Sequence, residues 1–461
     1  MLFSGIPFLY YFLPVALICY FLAPKAIKNG VLLVFSLIFY AWGEPKYVIL
    51  MIATICLFYL CGLAIEKAQV KFWKKCWLIL SIVLGVGALG IFKYGDFFLN
   101  GFNRVTGLSI PLLRLALPVG ISFYTFQSLS YTIDVYRGEV PAQKSLLRFA
   151  TYVALFPQLI AGPIVRYRDI ARQLEDRIHS LADFFAGFGR FLIGLGKKIL
   201  LADQFALLIS LFRQSQSPSV LFYWMYAIAA MLQIYFDFSG YSDMAIGLGQ
   251  IFGFRFPENF NYPYISRSIT EFWRRWHISL GSWFRDYVYI PMGGNRVRPL
   301  RWAVNILTVW MLTGLWHGAA WNFVFWGLLF GILLLIEKKI PLTEKLPNVL
   351  RHGYVLLVVC ISFVLFSAED LRQAGSDLSC MFGFGNIPLF TEETVYYLRS
   401  FGVLFALGIL GSTPLAKKTA GRIAKTPVGA VLTPLALGIL LLLCTAYLVD
   451  GSFSPFLYFR F

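Results

Sequence analysis

The chain has 461 residues, a formal net charge of +17, 59% hydrophobic residues and only 14% charged ones. Soluble domains run at about 45–50% apolar and about 25% charged, so this balance excludes an ordinary soluble enzyme and points to a polytopic all-α membrane protein. Lys and Arg fall in short loops between apolar runs rather than on one face, which favours membrane topology and a lipid bilayer partner and argues against nucleic acid.

The first apolar run, Ile6 to Ala23, has no basic residue before it and no small-residue cleavage site after it. It reads as a retained membrane helix rather than a removable signal peptide. Runs of about 20 apolar residues, each able to cross a hydrocarbon core of about 30 Å, recur along the chain. We therefore expect one membrane-embedded domain over residues 1–461. Basic loops mark the cytoplasmic side: Lys25/Lys28, 67–75, 137–148, 255–301, 338–351 and 417–425. Residues 368–397 carry Glu369, Asp370, Asp377, Glu392 and Glu393 against Arg372, which puts that loop outside with the N-terminus. Five of the seven cysteines lie in apolar runs, so no disulfide framework is expected.

Residues 115–165 hold Pro118, Gly120, Pro157, Gly162 and Pro163 within apolar sequence. Such punctuation predicts broken or re-entrant helices, whose irregular backbone has to line protein or water rather than lipid. A cavity within the bilayer follows.

From residue 233 to 322 the chain carries four polar-aromatic clusters. The first, Gln233 to Asp243, contains Asp237, Ser239, Tyr241 and Asp243. Intramembrane carboxylates are functional candidates. The competing reading is that Asp-Phe-Ser-Gly-Tyr-Ser-Asp ends one helix and begins another. The second and third, Glu271 to His277 and Ser282 to Tyr287, share residues 268–290, where a helical projection gathers Trp273, Trp276, His277, Leu280, Trp283, Phe284 and Tyr287 on one arc. Glu271, Arg274, Arg275, Ser279, Ser282, Arg285 and Asp286 fall opposite. This predicts a single amphipathic helix at the cytoplasmic interface, within 255–301, with a Glu271–Arg275 pair.

The fourth cluster, Gly314 to Asn322, lies in the uncharged run Trp302 to Ile336. As one helix that run would extend roughly 50 Å at about 1.5 Å per residue, too long for one crossing. Two shorter pieces broken near Gly314 and Gly318 would bring His317 deep into the membrane, near the turn. Residues 413–428 read as a cytoplasmic loop, and Val428 to Val449 as the last span.

Of the four histidines, His179 and His352 sit beside charges and read as interfacial residues, whereas His277 and His317 lie among aromatic and apolar neighbours. Histidine changes protonation near neutral pH with little tuning. A hydrogen-bonded core histidine is the bland alternative for His317. Arg274 and Arg275 read as interfacial charges, with phosphate binding as the minority role. Zinc-hydrolase, paired Cys-x-x-Cys, Walker and Gly-x-Ser-x-Gly patterns are absent.

Several long stretches resemble the membrane-bound O-acyltransferases, specifically the bacterial branch that contains the alginate O-acetylation membrane protein. They are Phe39-Tyr-Ala-Trp42, Gly120-Ile-Ser-Phe-Tyr124, Ile133-Asp-Val-Tyr-Arg-Gly138, Leu159-Ile-Ala-Gly-Pro163, Tyr235 to Gly249, Ile269 to Leu280 and Gly314-Leu-Trp-His-Gly-Ala319. One position departs: alginate-type members carry His where this chain has Gln158, which bears on the acceptor rather than on acyl transfer.

The resemblance implies a bundle of about eleven or more helices with re-entrant helices and a central tunnel. It implies His317 as the active-site histidine and His277 as the second. The candidate substrate-binding set is Asp237, Ser239, Tyr241, Asp243, Trp273, Arg274, Arg275, Trp276, Trp316 and Asn322, with no metal and no tightly bound cofactor. The reaction implied takes acetyl from a thioester, acetyl-coenzyme A or an acyl carrier supplied by a cytoplasmic donor protein. The group passes across a bacterial inner (plasma) membrane to a polysaccharide hydroxyl with an extracytoplasmic acetyltransferase partner. D-alanyl transfer to teichoic acid is the runner-up; a polysaccharide or lipid transporter and an inactive scaffold are the alternatives from other classes.

Overall fold

The computed structural model describes residues 3–340 and 346–451, and the fold is 77% helical without strands among them. In chain order the helices are α1 (Leu13–Leu22), α2 (Lys28–Gly43), α3 (Val48–Lys67), α4 (Lys71–Leu89), α5 (Gly95–Thr106), α6 (Ile121–Arg137), α7 (Leu146–Ala154), α8 (Phe156–Leu159), α9 (Tyr167–Glu175), α10 (Leu181–Gly196), α11 (Asp203–Gln214), α12 (Val220–Ile251), α13 (Ile269–Arg275), α14 (Ile278–Phe284), α15 (Pro299–His317), α16 (Trp321–Lys339), α17 (Asn348–Ser367), α18 (Leu371–Met381), α19 (Glu392–Gly411), α20 (Leu415–Ile423) and α21 (Pro427–Asp450). Among the described residues eight helical stretches are long and apolar enough to cross a bilayer, and the chain is a multi-pass membrane protein. The first apolar run is helical over residues 6–22, close to the expected Ile6 to Ala23, and ends where Ala23 and Pro24 turn extended.

Two compact units divide the chain: residues 1–191 with 243–257, and residues 192–242 with 258–461. In the first, the expected broken helices occur. The chain leaves α7 at Leu155, makes the four-residue α8 with Pro157 in its first turn, and runs non-helical to Arg166. All of this stretch is buried, and several of its polar groups find partners inside the protein. The Phe156 amide donates to Ser36 Oγ at 3.0 Å and Gln158 Nε2 to the Tyr152 carbonyl at 2.6 Å. Gly120, at φ +75°, comes so close that a Cβ there would lie 2.7 Å from the Leu159 carbonyl oxygen.

In the second unit, residues 302–336 form two helices as expected. α15 and α16 have 19 residues each, about 28 Å at 1.5 Å per residue, and fold back at Gly318–Ala320, both extended. Gly318 is the break. Gly314 remains helical and serves the close approach of the two backbones instead: a Cβ on Gly327 would meet the Trp310 carbonyl and lie 3.1 Å from Gly314 Cα. Small residues at helix contacts are the usual device in membranes, where no hydrophobic force drives helices together.

Two expectations need correction, and two expected loops carry helix. Residues 233–243 do not cap a helix end; they lie inside the 32-residue α12. Gly240 is there for packing, since a Cβ would sit 2.8 Å from the Gly194 carbonyl oxygen, and the carboxylates are satisfied sideways by cations. Residues 268–290 are not one helix but α13, a break at Trp276–His277, α14 and a π-helical turn at Arg285–Tyr289. The arc of buried side chains holds for Trp276, His277, Leu280, Trp283, Phe284 and Tyr287, yet Ser279 is also buried. Residues 413–428 contain α20. The acidic stretch 368–397 contains α18 and the start of α19, whose caps Asp370 and Thr391 accept from the Gln373 and Thr394 amides, and Asp377 pairs with Arg213 at 2.6 Å.

Candidate active site

The site in the second unit is set by what interrupts the helix between α13 and α14. Two backbone hydrogen bonds from residues 259–261 replace helical ones: the Asn261 amide donates to the Arg275 carbonyl at 2.9 Å and the Ile278 amide to the Asn259 carbonyl at 3.0 Å. His277 between them adopts left-handed backbone, φ 44° and ψ 53°. A non-glycine residue held there costs of order 1–3 kcal/mol and persists only where its surroundings enforce it. The enforced turn swings the His277 ring inward.

The other end of α13 is clamped. Ser268 Oγ accepts from the Glu271 amide at 3.0 Å while Glu271 accepts from the Arg267 amide at 2.9 Å. Glu337 near the end of α16 accepts from the Ile269 amide at 2.6 Å and the Thr270 amide at 3.0 Å, an anion on the free donors of a helix N-terminus. α13 is thereby fixed to the hairpin whose turn carries His317.

The two histidines share a neighbour. His277 is 1% exposed, its ring centroid 4.6 Å from Phe238 and 5.5 Å from Trp316. His317 is 5% exposed, with Trp316 at 4.9 Å and Trp326 and Phe366 each at 5.2 Å, edge to face. Trp316 therefore touches both imidazoles. His277 lies in the short-helix segment outside the spanning helices, and burial, with nearby His317 adding to it, holds its imidazole well below the ordinary histidine range. A neutral imidazole in an apolar setting is a proton acceptor waiting for an acidic partner.

The other candidates separate into three groups. Trp276 packs on Phe272 at 5.5 Å and Phe363 at 5.3 Å, Trp273 on Trp310 at 4.6 Å and Phe330 at 4.8 Å. Asn322 donates from Nδ2 to the Ala368 carbonyl at 2.9 Å, tying the start of α16 to the end of α17. Trp273 also packs on Trp326, which lies against His317, so the tryptophans extend the aromatic packing beside that histidine while Asn322 braces it. Ser239 and Tyr241 are buried on α12. Asp237 accepts from Lys198 at 2.7 Å, and Lys198 also meets Asp203 at 2.8 Å. Asp243 belongs to the first unit, where Arg190 donates to it through Nε at 2.9 Å and a terminal nitrogen at 2.8 Å. Arg275 pairs with Glu271 at 2.9 Å and donates to the Asn261 carbonyl at 3.1 Å, which makes it a strut of the α13 break. Arg274 is exposed on α13. Among the described residues no group of three or more His, Cys, Asp and Glu is placed to hold a metal ion.

Sequence reading missed Asn259, Ser279, Trp326, Phe366 and Lys198. The available signal for Lys198 was a Lys-Lys pair inside the apolar run Phe191 to Ala202; Asn259 carried none, because its significance comes from contacts 18 to 20 positions away. His179 and His352 hold loops to helices, His179 facing Tyr20 Oη at 2.9 Å and His352 the Ser266 carbonyl at 3.1 Å.

The profile of the family described as "MBOAT, membrane-bound O-acyltransferase family" matches residues 139–371. The chain is 40% identical to the probable alginate O-acetylase AlgI of Azotobacter vinelandii over the full length of both. It is 36% identical to the peptidoglycan O-acetyltransferase of Helicobacter pylori over 84% of this chain and 81% of that one. It is 29% identical to the teichoic acid D-alanyltransferase of Bacillus subtilis over 55% of this chain and 70% of that one.

Proposed function

The chain belongs to the membrane-bound O-acyltransferase family, and from that premise we propose that it moves an acetyl group from a cytoplasmic thioester to a hydroxyl of an extracytoplasmic polysaccharide. The observation that carries the reading is the buried pair His277 and His317 on either side of Trp316. His317 acts as general base: it takes the proton of the acceptor hydroxyl as that oxygen attacks the thioester carbonyl carbon. The carbon–sulfur bond then breaks, and the thiolate leaves with the proton returned by the imidazolium. A positioned base contributes typically about 10²- to 10⁴-fold. His277 holds the donor or shares the proton.

The donor is acetyl-coenzyme A or an acylated carrier arriving at the basic segment 255–301 on the cytoplasmic face of a bacterial inner membrane. A tunnel leads past the histidines to the extracytoplasmic side, where an acetyltransferase partner assists delivery to the polysaccharide. Full-length likeness to an alginate O-acetylase, against partial likeness to a D-alanyltransferase, favours acetyl over D-alanyl transfer.

Purified protein in liposomes, given acetyl-labelled thioester on one side and polysaccharide on the other, tests this. The expected result is label bound covalently to a hydroxyl. Movement of polysaccharide or lipid without covalent change would instead make the protein a transporter. The topology has its own test: a cysteine at Ser282 should react with an impermeant reagent only from the cytoplasmic side.

A further inference from the structure

His277 has two ring nitrogens with different surroundings. Nδ1 lies 3.1 Å from the side-chain oxygen of Asn259, whereas Nε2 is buried without a hydrogen-bond partner among the described residues. Which nitrogen carries the proton depends on which way the Asn259 amide points, because its oxygen and nitrogen can exchange places.

The surroundings of Asn259 decide that question. The backbone amide of Ser279 faces the same Asn259 atom at 3.3 Å, and a backbone N–H can only donate. That atom must be the amide oxygen. Ser279 Oγ, at 2.9 Å, donates to it as well, and the Asn259 nitrogen donates to Ser242 Oγ at 3.1 Å. With an acceptor oxygen fixed opposite it, Nδ1 of His277 has to carry hydrogen; a lone pair there would face a lone pair. Nε2 is then the basic atom.

We propose that Asn259 is a positioning residue that locks His277 as the Nδ1–H tautomer, so that Nε2 is presented as a proton acceptor in the acyl-transfer site. The same residue enforces the left-handed turn through its backbone carbonyl and the tautomer through its side chain, which joins the geometry of His277 to its chemistry. The sequel for catalysis rests on the acyl-transfer reading: Nε2 accepts a hydrogen bond from a donor or acceptor group that carries a proton, and cannot itself donate one while the imidazole is neutral.

Nitrogen NMR of ¹⁵N-histidine-labelled protein, assigned with His277→Gln, reads the tautomer directly, and acyl transfer against pH reads its consequence. The expected wild-type spectrum has a protonated Nδ1 and a lone-pair Nε2. Asn259→Ala should give a mixture of tautomers and lose part of the base contribution, about 10- to 100-fold in kcat. Asn259→Asp keeps the oxygen, preserves the Nδ1–H tautomer and retains more activity than the alanine variant. Its added negative charge raises the His277 pKa and moves the acid limb of the pH profile upward. Should Asn259→Ala fail to fold, Asn259→Asp together with the wild-type spectrum decides the matter. A wild-type Nε2–H tautomer, or an Asn259→Asp profile unshifted in pH, would overturn the proposal. If the tautomer is as stated but no acyl transfer occurs, the acyl-transfer reading fails and the positioning role of Asn259 stands.

Discussion

Two buried polar regions resemble each other in sequence and differ in what they do. The Asp237–Asp243 stretch of α12 puts carboxylates where helices pack, and each meets a cation: Lys198 to Asp237 at 2.7 Å, with side chains 2% and 4% exposed, and Arg190 to Asp243 at 2.8 Å. Around His277 and His317 the neighbours are Phe238, Trp316, Trp326 and Phe366, all uncharged. An ionisable group in an apolar setting is a functional candidate until its counter-charge is found. The carboxylates have theirs, which makes them joints between helices; the imidazoles sit among rings that leave a proton-accepting atom open on His277.

His317→Ala should separate the two regions most sharply. Acyl transfer per folded molecule is expected to fall at least about 10²-fold, with the protein still inserted and folded. Wild-type specific activity would move His317 to the structural side. His277→Ala should be severe but less complete, because water or a raised donor concentration can replace part of a lost contact.

Asp237→Ala should do the reverse and damage the fold first, since it strips a buried cation of one partner, a loss of about 3–5 kcal/mol. Thermal unfolding in detergent measures it. Replacing both members, Lys198→Met with Asp237→Leu, should recover most of that stability and leave activity per folded molecule near wild type. A folded but inactive double variant would transfer Asp237 to the chemistry.

Gly327→Ala tests the hairpin that carries His317. The new methyl meets the Trp310 carbonyl and the Gly314 backbone, neither of which can turn aside, and overpacking of this kind costs about 1–3 kcal/mol. Activity should fall along with stability as His317 is displaced.

The smallest effect belongs to Glu271→Gln. Partial burial pushes the Glu271 carboxyl up, but the Arg267 amide hydrogen bond and then Arg275 outweigh it, and the net displacement is downward from 4.5. A lowered folded pKa gives stability that is present above the ordinary carboxyl value and lost as pH falls through the folded one. Wild type should therefore exceed Glu271→Gln by at most about 1 kcal/mol at neutral pH, given its exposure, with the gap closing below pH 4.5.

Composition, hydropathy and charge asymmetry were enough to determine a multi-pass helical membrane protein. Glycine and proline placement marked both the break at Gly318 and the interrupted stretch around Pro157, because backbone freedom and a missing amide act locally wherever they occur. The sequence also singled out His277 and His317 by their apolar company. Periodicity could not see that residues 268–290 are two helices, since the bonds that divide them come from Asn259 and Asn261. Nor could it see that Asp237 faces Lys198, 39 positions away, or that Asn259 fixes the His277 ring. Those contacts exist only once distant segments are packed, and in a buried site the identity of the atom opposite an ionisable group decides whether it is a joint or a reagent.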